Sequence, residues 1–329
     1  LSTYLPTSKN EYVKNIVICI AMLYPSMVVV DAGFVATTLN YLWPVTFGLL
    51  CLMPTYRRIT GRKSSFIEML LLVPCLLYAT NMQQMAVVLV VLLGIANVYL
   101  IYKKDFSPYI LLQLLITVAC SVYSYLINTV GDNPRMLREI GRYFPEFGSL
   151  SLFEKIELGF SSTFYCLTME HRLAWFGFFA FLCVLAFWMY KKSEKILNRA
   201  VVSFPVIFSV LGIVESFCSE KFIPGDLQNY GLSKAEYSFD VISDALFVII
   251  ILCILYSLFV LIENKVTYIT SCFVFFLGLG SRMLMGFSPT VWASGYRTFY
   301  IMLVSFIIIA FLVINENRKT DKNTAEILR

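Results

Sequence analysis

Charge is scarce in this chain. Only 14% of its 329 residues are Asp, Glu, Lys or Arg, against about a quarter in ordinary soluble domains, which excludes a conventional water-facing surface. Histidine is rarer still, with His171 alone in the sequence. One imidazole and no paired cysteines are too few for a zinc or haem site, so no cofactor and no metal is expected. The nine cysteines lie scattered, mostly inside apolar runs and without a C-x-x-C pair; they read as small apolar filler. There is no phosphate-cradling Gly-rich loop, no H-E-x-x-H and no G-x-S-x-G, and no nucleic-acid-binding module. The ~10-residue alternating segments of a membrane β-barrel are missing too. So is any internal repeat strong enough to argue an inverted-repeat transporter.

What remains is oil. Hydrophobic residues make up 59% of the chain, mean hydropathy is +0.75, and the apolar residues fall into runs of roughly the ~20 needed to cross a bilayer. The expected fold class is therefore all-α: a polytopic transmembrane helix bundle of about 10 spans forming a single integral membrane domain over 1–329. The candidate spans are 13–30, 40–55, 66–80, 84–102, 109–128, 172–190, 201–217, 241–263, 267–286 and 298–315.

Most of the 26 lysines and arginines fall in one set of joints, among them "TYRRITGRKSS", "YKKDFSP" and "YKKSEKILNR". The positive-inside rule then predicts that both visible termini are cytoplasmic and the longer loops lie outside. The net charge of +5 follows from this asymmetry and needs no nucleic acid as partner. Among the outer segments, 129–172 is too long for a plain connector. In its second half Leu152, Phe153, Ile156, Phe160 and Phe164 recur near helical spacing, with Glu154, Lys155 and Glu157 opposite. That pattern predicts an outer-face interfacial helix.

Ionisable residues within spans are costly and mark candidate sites. Glu215, Asp244 and Arg282 each fall in the outer half of a span and are expected to face one polar cavity open to the outside. Arg282, in "SRMLMGFSPTVWASGYRTF", reads as a phosphate or carboxylate ligand. It reads equally as half of an ion pair with Asp244 or Glu215. Arg297, near Trp292, fits a headgroup-facing anchor better than a ligand.

In "TVGDNPRMLREIGRYF" a helix starting at the Asp132-Asn133-Pro134 turn aligns Arg135, Arg138 and Arg142 on one face. Three outward guanidiniums suit a lipid phosphate, either as substrate or as plain headgroup. "TMEHRLAW" sets His171 between Glu170 and Arg172; a lone interfacial histidine is usually structural, and the triplet keeps a general-base role open. In "DAGFVATTLNYLWP" Asp31 is a candidate base, with Asn40 and Trp43 as sugar contacts or, for Trp43, an ordinary interfacial belt residue. Asn81 and Gln84 in "TNMQQ" add neutral hydrogen-bonding groups to the same outer face.

"NYLWP", the "GDNPR...FPEFGSLSLFEK...GFSSTF" block and "RMLMGFSPTVWASGYRTF" together resemble a bacterial family of polytopic membrane proteins of unknown function. That family is itself similar to the serotype-converting glucosyltransferases and other integral-membrane sugar transferases of the C-type fold. Its pattern has "APGN..R" where this chain has "VGDNPR", and "N.EQ" where this chain has Asn81-Met82-Gln83-Gln84. Gln83 thus stands at the acidic position. Family members carry an additional N-terminal portion with an acidic outer-loop motif, so the chain starting at Leu1 is expected to be the C-terminal part of a longer protein.

The resemblance implies a glycosyltransferase of the bacterial cytoplasmic (inner) membrane. Its partners are the membrane lipid, a polyprenyl-phosphate-linked sugar donor and a glycan acceptor on the outer face. Asp31 or Glu170 then deprotonates the acceptor, and Arg135, Arg138 and Arg282 hold the carrier phosphate. Two rivals stay open. An envelope-polysaccharide polymerase or ligase weights the arginines and His171 over Asp31. A transporter or flippase of an anionic lipid-linked sugar needs a polar path through the inner half of the spans, where Glu68 and Glu263 are the only acidic residues near the inner ends.

Overall fold

The computed structural model describes residues 34–129, 134–168, 173–217, 237, 239 and 241–327, and among these every regular element is helical. Seven helical stretches are long and apolar enough to cross a membrane: Val35–Ile59, Gln83–Tyr102, Trp175–Lys192, Ile196–Val214, Val241–Leu261, Lys265–Phe287 and Arg297–Arg318. Two shorter apolar stretches, Phe66–Ala79 and Pro108–Ser124, coincide with further expected spans. The architecture is that of a multi-pass helical membrane protein. The expected span 13–30 lies outside the described residues, as do Asp31, Glu170, His171 and Arg172.

The chain divides into two compact units, Leu1–Leu137 and Arg138–Arg329. In the first, α1 (Val35–Ile59) packs on α2 (Phe66–Ala79), and α3 (Gln83–Tyr102) packs on α4 (Pro108–Thr129). Leu76, Leu89 and Leu93 are wholly buried between them. Because lipid tails are as apolar as leucine, hydrophobicity alone does not join such helices; close packing and interhelical hydrogen bonds do. The bonds are present. Gln113 Nε2 donates to the Cys51 carbonyl at 3.0 Å, Tyr109 donates its hydroxyl to the Met69 carbonyl at 2.8 Å, and Asn97 Nδ2 donates to the Ile110 carbonyl at 3.3 Å. At the basic end of this unit Arg57 pairs with Glu68 and Arg58 with Asp105.

In the second unit, α7 (Leu173–Lys192), α8 (Ile196–Phe217), α9 (Val241–Leu261), α10 (Lys265–Met283) and α11 (Tyr300–Ile327) carry the apolar runs. Phe306 on α11 joins three of them: it stacks on Phe181 of α7 at 4.8 Å between centroids and meets Phe275 of α10 at 6.5 Å. A Cβ on Gly278 would stand 3.2 Å from Met302 Cα, so glycine is what lets α10 lie against α11. Helix ends are capped by side chains. The Leu261 carbonyl, at the end of α9, accepts from Asn317 Nδ2 at 3.2 Å and Lys192 Nζ at 3.3 Å. Asn264 Oδ1 accepts from the Val266 and Thr267 backbone N–H groups at 2.9 and 3.1 Å and starts α10.

One expectation is overturned. The segment read as an interfacial helix is α6 (Leu152–Thr168), and from Glu157 onward it is buried, with Phe160 and Tyr165 half-buried. It packs against α7, α8, α9 and α10. At its start the apolar side does face outward, with Leu152 and Phe153 67% and 66% exposed, and only Glu157, expected on the opposite face, is turned inward at 5% exposure. The physical reason lies in the small residues. Thr163 and Ser162 turn their hydroxyls back to the Gly159 carbonyl at 2.6 and 3.3 Å, and Thr168 bonds the Phe164 carbonyl at 2.8 Å. A stripe that satisfies itself within its own helix behaves as a small, packable surface. The helix of the 129–172 segment that buries no residue is instead α5 (Pro134–Tyr143).

Candidate functional site

Within the second unit, the most buried ionisable side chain is Arg282, at 0% exposure near the end of α10. Its Nη2 donates to the Val291 carbonyl at 3.5 Å, and its guanidinium carbon stands 4.7 Å from the centre of the Phe299 ring. A guanidinium is flat, weakly hydrated and able to stack on an aromatic face, which is why arginine and not lysine tolerates this enclosure. Both contacts come from the segment 284–299, which follows α10 as a turn Leu284–Phe287 and returns through Gly295–Phe299 into α11. The counterpart expected from sequence was Asp244 or Glu215. Phe299 and the Val291 carbonyl are two of the groups that meet Arg282; the Glu215 side chain lies outside what the structure describes.

The turn after α10 is pressed onto α6. A Cβ on Gly286 would overlap the Lys155 carbonyl oxygen and stand 2.6 Å from Gly159 N, and a Cβ on Gly159 would overlap the Met283 carbonyl oxygen. Each glycine faces backbone atoms of the opposite segment, so neither position has room for a side chain. Further along α6, Tyr165 meets Trp292 edge to face at 5.7 Å. The segment "GFSPTVWASG" thus meets α6 backbone on backbone at Gly286 and ring on ring at Trp292. Arg297, expected as a surface anchor or ligand, folds over its own turn and donates to the Ser294 and Ala293 carbonyls at 3.4 Å each.

Acidic groups gather at the other face of α6. Tyr237 lies beside Glu157, and burial together with a hydrogen bond to Glu157 and the negative charges of Glu157, Glu154 and Asp244 pushes its hydroxyl well above the usual tyrosine range. Asp244, at the start of α9, thus acts on the same hydroxyl as Glu157, and Phe160 packs on Phe247 one turn along at 4.6 Å between centroids. Glu154 is held below the ordinary carboxylate range by the Ser151 N–H, which donates to its carboxylate at 2.6 Å, and the Glu154 N–H donates in turn to Ser151 Oγ. Sequence reasoning put Glu157 on a solvated face and passed over Tyr237. The available signal was the run "IELGFSST", where a carboxylate precedes four small or hydroxylated residues within six positions.

On α5 the spacing argument holds locally: the helix begins at Pro134, and Arg135, Arg138 and Arg142 are all exposed. Arg142 lies over the Tyr143 ring at 5.1 Å. In the first unit, Trp43 and Tyr78 have ring centroids 6.4 Å apart, and Tyr78 donates its hydroxyl to the Leu39 carbonyl at 2.8 Å. Leu39 and Asn40 belong to a π-helical turn, Thr38–Leu42, inserted in α1; such wide turns expose carbonyls to other partners. Asn40 and Trp43 are exposed there, and Asn81 is exposed at the end of α2, where its N–H bonds the Tyr78 carbonyl at 3.2 Å. These residues do form one polar-aromatic corner. Gln84, by contrast, is 5% exposed and turned into the packing of α3.

A shallow, open groove of about 640 Å³ lies on α3 in the first unit and is lined by apolar and tyrosine side chains. No group of three or more His, Cys, Asp or Glu among the described residues is arranged to hold a metal ion. No known protein family matches the chain, and no curated protein or solved structure is similar to it.

Proposed function

We propose that this protein is an integral-membrane glycosyltransferase that takes a sugar from a polyprenyl-phosphate carrier and adds it to an envelope polysaccharide or glycolipid. The observation that carries the reading is α5: a surface helix with three guanidiniums on one exposed face and Leu137, 56% exposed, beside them. Glu139 offsets one of the three charges and leaves a net positive face. Guanidinium binds phosphate through paired, charge-assisted hydrogen bonds, and the apolar side suits a lipid surface.

In the proposed reaction the acceptor hydroxyl oxygen bonds to the sugar's anomeric carbon as the bond from that carbon to the carrier phosphate oxygen breaks. The hydroxyl proton passes to a carboxylate, and the leaving electron pair stays on the phosphate, next to the arginines. Glu157, hydrogen-bonded to Tyr237, joins Asp31 and Glu170 as a carboxylate suited to accept that proton. Arg282, fixed by Phe299 and Val291, suits a second anionic contact.

The test is mass-spectrometric analysis of the host's surface glycans after the double substitution Arg138→Ala/Arg142→Ala. Both side chains are exposed, so the fold is expected to survive. Each charge-assisted contact is worth ~1.5–3 kcal/mol, which predicts at least a roughly tenfold loss of the modified glycan. An unchanged glycan profile at normal protein level refutes the assignment.

A further inference from the structure

The geometry points to a specific site for an anionic phospholipid on the first unit: one acyl chain in the groove along α3 and the phosphate on Lys103 and Lys104. The groove follows residues 90–102, one face of a single helix, through Val91, Gly94, Ile95, Val98 and Tyr102. Thirteen helical residues rise ~18 Å, slightly more than half of the ~30 Å hydrocarbon core, so the groove matches the chain region of one leaflet. Gly94 makes the notch: a Cβ built there meets nothing within 4 Å. Val98 is 69% exposed and Tyr102 81%, so the walls face outward and not into the unit.

Charge decides the occupant. The groove ends where α3 ends, at two exposed lysines, and Lys103 Nζ sits 5.8 Å from the centre of Tyr99, a groove residue. Lys104 has φ 57°, the left-handed position that usually falls to glycine after a helix, so the chain turns away and leaves the groove mouth open. The segments 57–68 and 103–105 meet at this end through the Arg58–Asp105 pair, and together they carry six basic residues against two acidic ones. Both carboxylates already have arginine partners, Glu68 with Arg57 and Asp105 with Arg58. An apolar slot of leaflet length that opens onto net positive charge is complementary to a lipid with an anionic head, and a zwitterionic head gains little there.

The experiment is native mass spectrometry of the full chain, released from micelles carrying either phosphatidylglycerol or phosphatidylcholine with identical acyl chains. Phosphatidylglycerol is expected to remain bound and phosphatidylcholine to be lost. Lys103→Gln and Lys104→Gln should each weaken retention about fivefold, from one headgroup contact apiece. Gly94→Leu, which fills the notch while keeping both lysines, should weaken it comparably; Val98→Phe blocks the same slot from a fully outward position if the first variant fails to fold. Equal retention of the two lipids overturns the site. So does retention that ignores the lysines, or retention that depends on them and ignores both groove-filling variants. Disulfide cross-linking of a Gly94→Cys variant into a dimer would overturn the lipid site and assign the groove to a second copy of the chain.

Discussion

Replacing Gly286 with alanine adds one methyl group to this protein, and the structure gives it nowhere to go. Its Cβ would overlap the Lys155 carbonyl oxygen and lie 2.6 and 2.9 Å from Gly159 N and Cα. All three are backbone atoms of α6, so no side-chain rotation relieves the clash; the turn and the helix must separate. Overpacking of this kind costs ~1–3 kcal/mol, and rigid neighbours push the figure to the upper end. Gly280, six residues earlier on α10, is the internal control, because a Cβ there meets nothing within 4 Å. Gly280→Ala should therefore gain up to ~1 kcal/mol from helix propensity alone. At about 2–4 °C per kcal/mol for a domain of this size, the two variants should move thermal unfolding in opposite directions, Gly286→Ala downward by roughly 4–12 °C and Gly280→Ala upward by about 2–4 °C. Far-UV circular dichroism of the detergent-solubilised protein reads both. If Gly286→Ala unfolds at the wild-type temperature, the backbone contact between the turn and α6 is wrong, and with it the burial of α6.

Two further outcomes follow from the helix ends and the acidic group. Asn264→Ala removes the side-chain oxygen that accepts from both Val266 and Thr267 N–H groups, and should cost ~1 kcal/mol of stability, with Asn264→Asp retaining most of it; the same thermal assay checks the pair. Tyr237 should stay protonated above the ordinary tyrosine pKa of about 10, because burial, Glu157 and the neighbouring carboxylates disfavour its phenolate. The sign is fixed by linkage. In the unfolded chain this hydroxyl ionises near pH 10 and in the folded chain it does not, so from pH 10 upward it lowers stability. Tyr237→Phe should lose less stability than wild type across that window, and the phenolate absorbance difference between the two should appear only at higher pH; a difference titrating at pH 10 refutes the environment described for Glu157.

Helix content and membrane character are legible from individual runs. Val241–Leu261 carries no charge but Asp244 and has nowhere to be but a bilayer, and the Arg135–Arg138–Arg142 spacing on α5 needs nothing beyond 3.6 residues per turn. α6 shows where such reasoning stops. Helical spacing finds the helix but cannot tell a hydroxyl that seeks water from one that bonds its own carbonyl. Glu157 therefore reads as part of a polar face, and its burial together with Ser161 to Thr163 becomes visible only once neighbouring helices are in place. The aromatic corner of Trp43 and Tyr78 is partly visible in "NYLWP", yet Tyr78 comes 34 residues later and joins only because α1 and α2 pack together.

The sequence by itself determined that the chain is a set of apolar helices with basic joints, because backbone groups in lipid must bond within their own segment and charge must stay near water. Only the tertiary structure decided that Phe299 and the Val291 carbonyl meet Arg282. A local pattern fixes which residues share a helix face, but which ring or carbonyl reaches a buried guanidinium depends on the segment that folds back over it. Here that segment is 284–299, seated on α6 through Gly159 and Gly286, and it brings Phe299 and the Val291 carbonyl to the arginine.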